Sequence, residues 1–121
     1  MTSEQHAAWK QLRRLASPHR LRTTKDVEGF PAIPGWYGVI EWFDARQLAG
    51  YCDRPRLFAK IWAIPGVRRH QTGDQEMRAT FPPEALEQVA AVVRAKRWGG
   101  GGRGRPQNLV PDAGQTGTSA A

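Results

Sequence analysis

At 121 residues the chain has the length of one domain, with about 20 residues to spare at each end. A single cysteine excludes an intrachain disulfide, and no apolar run is long enough to span a membrane as a helix. The formal charge of +7 is unevenly placed: residues 1–25 carry Lys10, Arg13, Arg14, Arg20, Arg22 and Lys25 against Glu4 alone, whereas residues 26–98 are nearly neutral.

The first element is a short basic helix over 4–16. Ala8, Leu12 and Leu15 share one face and Lys10, Arg13 and Arg14 lie elsewhere, until Ser17-Pro18 stops it. An extended connector follows, because Pro31 and Pro34 fix φ and donate no hydrogen bond. VIEWF and LAGYC, parted by the turn-like DARQ, predict a hairpin. RPRLFAKIWAIPG predicts a helix with Leu57, Phe58, Ile61, Trp62 and Ile64 on its apolar side. VRRHQ and EMRATF, with Gly73-Asp74 between them, predict a second hairpin. PPEALEQVAAVVRAKR predicts a final helix that runs through Arg94, Lys96 and Arg97, cations suited to the negative end of the helix dipole.

The two halves align at an offset of 28 residues, Pro55 with Pro83 and Ile61 with Val89. The expected fold is therefore α+β, a ββαββα domain over 26–98 with a four-stranded, mainly antiparallel sheet and two helices on one face. The basic arm 1–25 precedes it and a Gly-rich tail, 99–121, follows. True duplication and chance similarity of two ββα units both fit the offset.

With four-residue connections, Phe43 opposes Leu48 and Arg69 opposes Arg78. Alternation then leaves Glu41, Phe43, Leu48, Arg69, Glu76 and Arg78 on a sheet face with no helix to cover it. Arg69 beside Arg78 suits a phosphate, and Phe43 could stack on a base. Two other readings stay open: Glu41 and Glu76 neutralise the arginines, or Phe43 and Leu48 bury against a second copy of the chain.

Catalysis finds little support. His6, His19 and His70 are scattered without metal-ligand spacing, and nothing beside Cys52 activates a thiolate. Asp44 and Asp74 are explained by turn chemistry. No metal and no cofactor are expected.

In the tail, Arg103-Gly104-Arg105-Pro106 resembles the core of the AT-hook, which lies extended in the minor groove of A·T-rich DNA. The resemblance covers four residues and implies that Arg103 and Arg105 enter the groove. The alternative is a linker, since Gly102 stands where the fuller motif has proline and QNLVPDAG adds no positive charge.

The function expected is a small, non-catalytic nucleic-acid-binding module, DNA by preference, driven by the charge of the N-terminal segment. The alternative is a protein-interaction module that meets an acidic partner or a second copy. The N-terminal segment has its own two readings. One is a free basic arm whose six cations neutralise phosphates. The other is an amphipathic helix that docks on its own domain, or on an acidic partner, through Leu12 and Leu15. The lone cysteine and the absence of an apolar leader are read as cytoplasmic, and the excess of Arg over Lys as the coding bias of a high-GC prokaryote.

Overall fold

Met77, Ala79 and Phe81 alternate with Arg78 and Thr80, and the first three are sealed beneath the helices as that alternation demands. The structure is a computed structural model that describes residues 1–98. Its single sheet has six strands rather than four: β1 (Thr24–Lys25), β2 (Pro31–Pro34), β3 (Gly38–Trp42), β4 (Leu48–Cys52), β5 (Arg68–Thr72) and β6 (Met77–Phe81). They lie in the order β1-β2-β3-β4-β6-β5, every neighbour antiparallel.

The three helices are α1 (Ser3–Ala16), α2 (Phe58–Trp62) and α3 (Leu86–Val93). Leu12 and Ala16 of α1, Phe58 and Ile61 of α2, and Leu86, Val89 and Val93 of α3 close over Ile33, Ile40, Leu48, Cys52 and Phe81 in one core. The broad α+β class therefore holds, with two strands more than the ββαββα expectation and the expected N-terminal helix packed on the same core. Strands β3 to β6 do form two ββα units meeting at β4–β6, with Gly50 opposite Ala79 at the centre of that pair.

Strands β1 and β2 fall in the segment expected to be a connector. Pro31 and Pro34 stand at the two ends of β2, so Ala32 and Ile33 keep their N–H groups for the ladder. Helix α1 opens with a capping box, the Thr2 side chain accepting from Gln5 N–H while the Gln5 side chain accepts from Thr2 N–H. The helix is docked on its own domain. Leu12 is fully buried and Leu15 packs against the core. Trp9 Nε1–H donates to the Gly29 carbonyl at 2.9 Å, and Trp42 Nε1–H donates to Gln11 Oε1 at 2.8 Å.

Both predicted registers are corrected. Trp42, not Phe43, opposes Leu48. The Asp44 carboxylate accepts from Arg46 and Gln47 N–H, and Asp44 N–H donates to the Gln47 carbonyl, so the turn closes over 44–47 and Phe43 becomes an extra residue. The hydrogen bond from Arg46 N–H, first among several, holds the Asp44 carboxyl below its usual value. One extra residue turns β4 over. Leu48 and Cys52 then face the core, while Ala49 and Tyr51 face away from the helices.

In the second hairpin a bulge between Arg69 and Gln71 sets Gln71 opposite Arg78 and Arg69 opposite Ala79. The predicted pair Arg69–Arg78 is therefore split between the two faces. Arg69 lies on the helix side, its guanidinium 3.8 Å from the centre of the Trp62 ring.

The register of β4 has a chemical check. Burial pushes the Cys52 thiol pKa up, and its side chain is fully inaccessible. Iodoacetamide is expected to leave Cys52 unmodified in the native protein and to alkylate it fully in denaturant. Rapid native labelling would mean that β4 faces the other way.

Candidate nucleic-acid interface

The sheet face that alternation leaves uncovered neutralises itself. Arg78 Nη2 meets Glu41 Oε1 at 3.3 Å, and the Tyr51 hydroxyl donates to Glu76 Oε2 at 2.8 Å, a bond that raises the tyrosine pKa. Phe43 packs edge-on to His70 with ring centres 5.4 Å apart, and Arg78 lies 5.8 Å from its ring. Arg69 is absent from this face and Leu48 is buried. The phosphate cradle expected from Arg69 with Arg78 is not formed, and a dimer anchored on Leu48 has no exposed anchor.

A different constellation forms at the rim where both termini of the fold meet. Helix α3 ends at Val93, earlier than the sequence suggests, because Arg94 turns into the left-handed region at φ 55°. The chain then runs extended between two other segments, so Lys96 and Arg97 are not on a helical turn. Trp36 N–H donates to the Arg94 carbonyl and Lys96 N–H to the Pro34 carbonyl on one side. Arg22 N–H donates to the Lys96 carbonyl and Trp98 N–H to the Arg20 carbonyl on the other. Leu21 and Arg97 pair as an isolated bridge, and the Arg97 guanidinium donates to the His19 carbonyl.

This threading brings cations and aromatic rings together. Lys96 Nζ lies 5.0 Å from the centre of the Trp36 ring, and Arg22 lies 5.1 Å from that of Trp98. Arg54, Arg56 and Arg94 surround Tyr37 at 5.5, 5.8 and 5.9 Å. Two open clefts flank the extended segment. One, of about 270 Å³, is lined by Trp36, Ala90, Ala91, Arg94, Ala95 and Arg97. The other, of about 410 Å³, is lined by Arg13, Ala16, Ser17, Arg20, Leu21, Thr23 and Trp98.

The charge of this rim is uncompensated. The ion pairs among the described residues are His19–Glu87, Arg54–Asp53 and Arg78–Glu41. Arg13, Arg20, Arg22, Arg94, Lys96 and Arg97 thus have no carboxylate within 4.0 Å among the described residues. Of the cations singled out in the sequence, Arg13, Arg20 and Arg22 belong to the rim. Lys10, Arg14 and Lys25 are exposed but line neither cleft.

Trp36, Tyr37, Arg54, Arg56 and Trp98 escaped the sequence reading, and Arg94, Lys96 and Arg97 figure in it only as helix-end cations. The available signal was Trp36 after Pro34-Gly35, and Trp98 beyond the last apolar residue of the final helix, where no core position calls for an indole. Arg103 and Arg105, with the rest of the AT-hook-like core, lie outside the described residues. Among the described residues no helix is long and apolar enough to cross a membrane, and no group of three His, Cys, Asp or Glu could hold a metal ion. Compared with protein-family profiles, curated proteins and solved structures, the chain matches none.

Proposed function

We propose that the protein binds nucleic acid through the phosphate backbone, performs no chemistry on it, and uses the rim around Trp36 and Trp98 as its contact surface. One observation carries this reading. Among the described residues the only non-glycine positions with positive φ are Arg20 at 58° and Arg94 at 55°, and each lines one of the two tryptophan-walled clefts. Glycine suits such helix-end positions best, and a larger residue costs about 1 kcal/mol in that conformation. Arginine held there against backbone preference points to a role for its charge. Clustered cations without carboxylate partners repel one another, and a polyanion turns that repulsion into binding energy.

Anisotropy titrations of labelled single and double strands with the full chain, at low and moderate salt, test the proposal. Binding that falls steeply with ionic strength is expected, and no binding to either at low salt would remove the reading in favour of an acidic protein partner. Arg20→Gly and Arg94→Gly separate strain from function. Each is expected to leave stability unchanged or raise it by up to about 1 kcal/mol. Each is also expected to weaken nucleic-acid binding about fivefold at 0.1 M salt, as loss of one phosphate contact implies. Arg103→Ala with Arg105→Ala, run on A·T-rich and G·C-rich duplexes, reads the tail separately: a lost A·T preference would reveal a working hook.

A further inference from the structure

We propose that the rim takes single-stranded nucleic acid, one unpaired base lying against Trp36 and a second against Trp98, an inference that rests on the nucleic-acid reading above. The two clefts are built alike although they come from different parts of the chain. Each is lined by one tryptophan, two arginines and several small or aliphatic residues. For Trp36 the small residues are Ala90, Ala91 and Ala95, with Arg94 and Arg97 beside them. For Trp98 they are Ala16, Ser17, Leu21 and Thr23, with Arg13 and Arg20 beside them.

An exposed indole set among cations suits a flat aromatic face carrying an anion at its edge, which describes a nucleotide. Trp36 is 71% exposed and Trp98 57%, which leaves indole surface open to a base. Lys96 and Arg22 each lie over one of the rings, so positive charge sits beside each indole that a base would meet. The backbone hydrogen bonds of Trp36 to Arg94, and of Trp98 to Arg20, fix both residues before binding, so little order has to be gained.

Strand type follows from the rings. In a duplex both faces of every internal base are already stacked, so an exposed indole finds no partner there. In a single strand each base offers a free face. Stacking on an indole is open to every base, so Trp36 should discriminate weakly among them.

The test uses the full chain with labelled oligo(dT) and a mixed-sequence duplex of equal length, at moderate salt. The single strand is expected to bind roughly tenfold or more tighter and to quench tryptophan fluorescence. Trp36→Ala and Trp98→Ala should each weaken single-strand binding about 5- to 100-fold while changing duplex binding less than about twofold, and Trp36→Phe should retain most of the affinity. Equal affinity for duplex and single strand, or single-strand binding indifferent to Trp36→Ala, overturns this inference and leaves the nucleic-acid reading standing. Failure of both probes to bind at low salt overturns both. Trp36 stands in an exposed turn, so its variants decide the matter even if Trp98→Ala unfolds the protein.

Discussion

Leu12→Ala is expected to lower the unfolding free energy by about 2–5 kcal/mol, enough to leave so small a domain partly unfolded at physiological temperature. The side chain is fully buried in the core, and its removal leaves a cavity that the packing around it relaxes into only partly. Arg14→Ala, two positions away on the solvent side of α1, should change stability by no more than about 0.5 kcal/mol. Chemical denaturation of the two variants beside the parent makes the comparison. A loss below about 1 kcal/mol for Leu12→Ala would mean that α1 leaves the core readily and behaves as the free arm. The same packing shows why cutting away residues 1–25 would be a poor probe of their charge: Ala8, Leu12, Ala16 and Leu21 would leave with it.

The larger functional effect is expected from charge removal at fixed backbone. Arg13→Gln, Arg20→Gln, Arg22→Gln and Arg94→Gln combined should weaken nucleic-acid binding on the order of several hundred-fold at 0.1 M salt. The dependence of log K on log salt should flatten by about 3, since each phosphate contact to a single strand releases about 0.7 counterion. Glutamine keeps the stem and the Cβ, so the left-handed positions at 20 and 94 carry the same strain as before. The control removes equal charge elsewhere: Lys10→Gln, Arg14→Gln, Lys25→Gln and Lys60→Gln alter exposed cations that line neither cleft. If both quadruple variants lose the same affinity, net charge binds the ligand and the rim has no special part. A much larger loss in the first set assigns binding to the rim. Screening favours that outcome, because charges more than about 8–10 Å from the ligand contribute little at physiological salt.

Local pattern was enough for some of this. The strand alternation of Met77, Ala79 and Phe81, the apolar side of α3, the proline-started helices after Cys52 and Phe81, and the face of α1 are all legible from residue spacing. Each depends on which neighbours along one element point the same way, and that period is written in the chain.

Relations between elements were decided by the tertiary structure. One residue at Phe43, set by hydrogen bonds to Asp44, moved Leu48 and Cys52 into the core, and a bulge at His70 parted Arg69 from Arg78. A period of two makes a strand's outward face hostage to a single-residue slip, which composition does not report. The rim lay further still from sequence reach. It joins 20–22, 35–37 and 94–98 through backbone hydrogen bonds, and these pair any residue types that the packed helices bring level. Side-chain pattern tells which face of an element is apolar. Where the polar residues of distant elements converge is settled only when their apolar faces share one core.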